Sequence, residues 1–120
     1  MGQSTLEPIE LARRIVDLIA DKKGEDIVLM DIRQQTVIAD FFVICSGLSD
    51  RQVKTIVESV RDEVKQEFGL RVGQVEGEAD SGWVLLDYGD VIVHVFAPDT
   101  RTYYDLEGLW EEAPVLLKMQ

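Results

Sequence analysis

Residues 83–96 constrain the fold more than any other stretch. Trp83-Val84-Leu85-Leu86 and Val91-Ile92-Val93-His94-Val95-Phe96 are two apolar strand patterns separated by Asp87-Tyr88-Gly89-Asp90. A glycine inside so short a polar break signals a tight turn, so the two runs are expected to pair as a hairpin around Tyr88-Gly89. Along the second run Ile92, His94 and Phe96 share one face, while Val91, Val93 and Val95 share the other.

The rest of the chain supplies elements to pack around this hairpin. A first helix is expected from about Glu7 to Lys23, with Pro8 in its first turn, Ile9, Ala12, Ile15, Val16 and Ile19 at helical spacing, and Gly24 as its C-terminal cap. Ile27 to Ile32 and Phe41 to Cys45 read as buried strands around a polar turn at Gln34-Gln35. Ser49 and Gln52 have capping-box spacing for a second helix, whose apolar stripe is Val53, Ile56, Val57, Val60, Val64 and Phe68 and which Gly69 ends. Leu70 to Val75 reads as a third strand weakened by Gly73. Asp99 is expected to cap a short final helix running through Trp110, with Pro114 as the boundary of the last residues. The expected order is α-β-β-α-β-β-β-α: an α/β (α+β) single domain over residues 1–120, core about 7–110, with a mixed five-stranded sheet and helices packed on it.

Composition narrows the function. Of 120 residues, 23 are acidic and 12 are Lys or Arg, a net charge of -11. Such a surface repels phosphate backbones, so no direct sequence-specific nucleic-acid partner is expected. Acidity steers toward basic partners, although solubility alone accounts for it equally well. No apolar run is long enough to span a membrane. Residues 1–6 lack the pattern of a signal peptide and Leu6 breaks the myristoylation pattern, so a cytoplasmic location is expected. A lone cysteine, Cys45, fits a reducing compartment.

No catalytic constellation emerges. Ser46-Gly47 precedes a helix but lacks the carboxylate pair on one strand that metal-dependent nucleotidyl transfer needs; Asp87 and Asp90 are three apart and flank a turn. Glu76, Glu78 and Asp80 alternate like the start of a calcium loop, yet Ser81 stands where the glycine belongs. Cys45 and His94 are isolated, so no metal or cofactor is expected. His94 has no visible partner for general-base work and reads as structural or partner-facing; Cys45 reads as an inert core thiol. Trp83 and Trp110 are either core residues or, beside acids, anchors of an interface.

Three blocks in order then carry a resemblance. The first is Ala39-Asp40-Phe41-Phe42-Val43-Ile44 with Ser46-Gly47, Ser49 and Arg51-Gln52. The second is Glu76-Gly77, Gly82-Trp83, Asp87, Gly89-Asp90-Val91 and Val93-His94-Val95-Phe96. The third is Arg101, Tyr104, Leu106-Glu107 and Leu109-Trp110. Together they resemble the ribosomal silencing factor (Iojap-related) family over Leu11 to Trp110. Departures are mild: Phe41 stands where a tyrosine is common, and Glu112-Ala113 replaces a frequent Asp-Ala.

The resemblance implies a nucleotidyltransferase-like fold without the catalytic metal site. It also implies a non-enzymatic factor that binds the large ribosomal subunit through its ribosomal protein fourteen, blocks joining of the small subunit, and so represses translation when nutrients are short. On that basis Trp83, Tyr103 and Tyr104 are expected anchors, Asp87, Asp90, Asp99 and Glu107 the complementary charges, and His94 a hydrogen-bonding neighbour. A minimal nucleotidyltransferase using Asp87 and Asp90, or a homodimeric adaptor, are the alternatives.

Overall fold

Helix α1 (Pro8–Asp21) opens the fold in the computed structural model of the chain, which describes residues 6–120. The reading of residues 1–5 as free of a signal peptide lies outside the described residues. The Glu10 carboxylate accepts the Glu7 backbone N–H at 3.1 Å at the start of α1. Leu11, Ala12, Ile15, Val16, Leu18 and Ile19 form its buried stripe. The expected glycine cap is corrected in one respect. Lys23 takes the left-handed backbone, φ 65°. Gly24 is needed for close approach instead, since a Cβ there would lie 2.3 Å from Ile19 Cγ2.

Strands β1 (Glu25–Asp31) and β2 (Phe41–Ser46) pair antiparallel. Helix α2 (Asp50–Phe68) comes next, and its ends behave as the sequence suggests. Ser49 Oγ accepts the Gln52 N–H at 3.1 Å, the Gln52 side chain accepts the Leu48 N–H at 2.7 Å, and Gly69 ends the helix with φ 66°. Val53, Ile56, Val57, Val60 and Val64 are buried; Phe68, expected in the same stripe, sits 38% exposed at the last turn.

Further expectations are corrected. The third strand is not Leu70 to Val75 but the short β3 (Gln74–Glu76), because the ladder starts only where the Gly73 N–H reaches Asp87 O at 2.8 Å. Among the described residues the sheet has six strands, not five. After β4 (Trp83–Asp87) and β5 (Val91–Phe96), β6 (Val115–Met119) pairs antiparallel with β1. Pro114 precedes this edge strand rather than ending the structure, and its carbonyl accepts the Asp31 N–H at 2.9 Å. Asp99 does not cap one long final helix. The N-cap is Ala97, Pro98 occupies the first turn of α3 (Pro98–Tyr104), and Asp105 at φ 46° breaks the path before α4 (Leu106–Leu109).

The strand order is β3-β4-β5-β2-β1-β6, with only β2 and β5 parallel. Alternation sorts the side chains into two layers. Leu29, Val43, Val84, Leu86, Val91, Val93 and Val95 face α1 and α2. Val28, Met30, Phe42, Ile44, Ile92 and Phe96 face the other way, extended at the β4 edge by Trp83 and Leu85, and have no long helix over them; Leu106, Trp110 and Ala113 pack on this layer from the segment after β5.

Candidate functional site: an aromatic sheet face

That thinly covered layer is where the sequence concentrates its aromatic rings. Trp83, Leu85 and Asp87 project on one face of β4, opposite Phe96, His94 and Ile92 of β5. Trp83 is half-buried, stacked on Phe96 at 4.9 Å between ring centres and tilted against Tyr104 at 4.8 Å. Its indole Nε1–H donates to His94 Nδ1 at 3.2 Å. His94 is 3% exposed, and Phe42 meets it edge-on at 4.7 Å. Burial in this apolar setting pushes the imidazole pKa from 6.5 down to about 4, so the ring is neutral at pH 7. Trp110 completes the cluster, edge-on to Phe42 at 5.2 Å.

The cover over the end of β2 is latched by Arg101. Its guanidinium grips Glu107 with two hydrogen bonds, at 3.1 and 2.7 Å, and donates to Ser46 Oγ at 2.9 Å. The Arg101 side chain is 11% exposed, and Ser46 is buried on β2. This cation therefore ties α3 and α4 to the sheet. Gly82 brings α3 close. Its φ is 84°, its carbonyl accepts the Ala97 N–H at 2.8 Å, and a Cβ would lie 2.3 Å from Thr100 Oγ1.

The eight residues expected at an interface do not form one patch. Trp83, Tyr103, Tyr104 and Asp99 gather at the α3 end. Tyr103 is 80% and Tyr104 49% exposed, and their rings meet edge-on at 5.0 Å. Asp87 lies four residues along β4 from Trp83, about 13 Å away at strand rise. Its Oδ1 accepts the Gly89 N–H at 2.7 Å, which shapes the turn, and Asp90 is exposed beside it. Glu107 is already partnered by Arg101, and His94 lies beneath Trp83 rather than at the surface. Leu85 connects the two ends, with Glu76 of β3 opposite it across the ladder. Leu85 and Glu76 are not among the expected site residues, and only the alternation of β4 and β3 points to them. Leu109, 76% exposed beside Trp110, carries no such signal.

The site's chemistry is that of a surface. Among the described residues no three His, Cys, Asp or Glu side chains group to hold a metal ion, and no helix is long and apolar enough to cross a membrane. Cys45 is fully buried on the helix-facing side, its thiol pKa raised to about 12 by burial.

The same architecture occurs in solved structures. One from Chromobacterium violaceum superposes with a TM-score of 0.84 at 37% identity, covering 88% of each chain. Another from Bacillus halodurans gives 0.77 at 40% identity, covering 91% of this chain and 98% of that one. The family model described as "Ribosomal silencing factor during starvation" matches residues 5–120. Ribosomal silencing factor RsfS of Halalkalibacterium halodurans is 44% identical over 107 residues, 89% of this chain and 91% of that protein. Its Bacillus subtilis counterpart is 46% identical over 95 residues, 79% of this chain and 80% of that protein. Protein Iojap, chloroplastic, of Zea mays is 31% identical over 107 residues, which span 89% of this chain and 46% of that longer protein. The chain belongs to the ribosomal silencing factor family.

Proposed function

We propose that the chain is a translation repressor that seats its aromatic sheet face on a basic protein of the large ribosomal subunit, ribosomal protein fourteen, and blocks the small subunit by occupying its place. The observation that carries this reading is the family match over residues 5–120. The surface supports it independently. Half-buried and exposed rings at Trp83, Tyr104 and Tyr103 are the side chains that most often dominate binding energy; Glu76 and Asp99 carry negative charge beside them, and Asp87 and Asp90 add more at the far end of the hairpin. A net charge of -11 accelerates encounter with a cationic protein and opposes landing on bare RNA phosphates. Blocking of this kind needs no chemistry, only a 13.6 kDa domain lodged at the joining surface. The cytoplasm is where such a factor meets free subunits.

Sedimentation with purified large subunits tests the assignment. Tyr103→Ala and Asp90→Lys lie at exposed positions where folding is indifferent to them, and Trp83→Ala removes the central ring. Wild type is expected to co-sediment, and Trp83→Ala to lose about 2 kcal/mol or more of binding. Undiminished binding by a folded Trp83→Ala, Asp90→Lys double variant would place the interface on another face.

A further inference from the structure

We infer that His94 is a positioning residue: it holds the Trp83 indole as a preformed anchor for the partner. The inference rests on the binding reading above and identifies what sets its central ring. The hydrogen bond leaves one tautomer. An indole N–H only donates, so the Nδ1 that receives it at 3.2 Å is the bare nitrogen, and the proton of the neutral ring sits on Nε2. Nε2 is buried and has no hydrogen-bond partner among the described residues. An unpartnered buried N–H is a cost, and leucine, of similar volume, would occupy the same apolar setting without it. The rings of Phe42 and Phe96 pack against the imidazole edge-on at 4.7 Å and stacked at 6.2 Å, contacts that leucine would replace with plain apolar burial. The unpartnered Nε2–H offsets what these ring contacts contribute, so packing alone gives histidine no clear advantage over leucine here. What the imidazole does that leucine cannot is to accept from Trp83.

Two consequences reach the partner. Trp83 is pinned from three sides, by Phe96, Tyr104 and the His94 bond, so little rotamer freedom remains to be lost on association. Its only polar atom is also turned inward. The indole thus offers carbon and π surface, which fits an aliphatic stem or a guanidinium face on a basic protein rather than a hydrogen-bond acceptor.

The test is binding of purified large subunits by wild type, His94→Leu, His94→Gln, Trp83→Phe and the double variant Trp83→Phe, His94→Leu. His94→Leu is expected to bind about tenfold more weakly, the equivalent of one modest hydrogen bond, with a thermal midpoint no lower than wild type. His94→Gln, whose amide oxygen can accept the indole N–H, is expected to recover binding to within about threefold. In the Trp83→Phe background, where there is no N–H to hold, His94→Leu is expected to add less than about twofold. In the free protein, hydrogen exchange at the Trp83 indole N–H is expected to be slow in wild type and His94→Gln and fast in His94→Leu. Equal binding by His94→Leu and wild type overturns the inference. So does a full tenfold loss persisting in the Trp83→Phe background, or a lowered midpoint, which would assign His94 to packing. If wild type itself fails to sediment, the ribosomal reading falls and takes the positioning role with it, while indole exchange still reports separately on the hydrogen bond.

Discussion

The burial of His94 makes a quantitative statement about acid stability. Its pKa falls from 6.5 to about 4 because the charged ring would lose its water, and no carboxylate stands near enough to compensate. The folded state therefore refuses a proton that the unfolded chain accepts. Between pH 6.5 and about 4 the unfolded state binds more protons, so stability falls as pH falls, by at most about 1.4 kcal/mol per pH unit. Going from about pH 7.5 to about pH 4.5, this single group should cost ~2.5 kcal/mol, while above about pH 7.5 it contributes almost no pH dependence. The Asp31 and Glu67 carboxylates, held below the usual range by hydrogen bonds from Arg33 and Arg14, work at lower pH; their contribution persists above the ordinary carboxylate pKa and is lost on further acidification. Both act equally in a His94→Leu protein and cancel in the comparison. Urea unfolding of wild type and His94→Leu across this range should give curves that diverge below pH 6.5 in favour of the variant. Parallel curves would refute the argument, because they would mean that the imidazole takes its proton as readily folded as unfolded.

Other substitutions probe the supports of the same face. Arg101→Met should lower stability by about 2–3 kcal/mol, since it strands Glu107 and buried Ser46, and should raise hydrogen exchange over residues 98–110 more than in α1. Gly77→Ala is expected to destabilise by about 2 kcal/mol or more in a denaturant melt. At φ 84° the new Cβ would lie 2.0 Å from the Trp83 carbonyl oxygen, a backbone atom that cannot swing away. The Cys45 thiol, at a pKa of about 12, should react with a disulfide reagent only as fast as the fold opens, so its labelling rate should rise with urea in step with unfolding.

The two long helices and the central strands were legible because each has one strong period. The α2 stripe and its Ser49 and Gly69 ends are local signals, and the Val91–Phe96 run announces its two faces directly. The edges were not legible, for a physical reason. At β6 Val115, Leu116, Lys118 and Met119 are exposed, and the register shifts between Leu29 and Met30 of its partner. No clean alternation survives there, and only pairing with β1 makes it a strand. The break at Asp105 depends on a left-handed backbone at a residue that would ordinarily continue a helix. The candidate site was legible in composition but not in geometry. Trp83, Tyr103 and Tyr104 do come together, but only the hairpin register separates Asp87 and Asp90 from them. The commitment of Glu107 to Arg101 and of His94 to Trp83 arises from contacts between separate elements, for which the chain carries no local mark.

The central claim, that this domain works by occupying space, is tested most directly by mixing purified small and large subunits with the protein and tracking formation of joined ribosomes by light scattering. Joining should fall in proportion to the fraction of large subunits carrying the protein, without added nucleotide, and should recover with folded Trp83→Ala. Full joining on large subunits saturated with the wild-type protein would contradict the account.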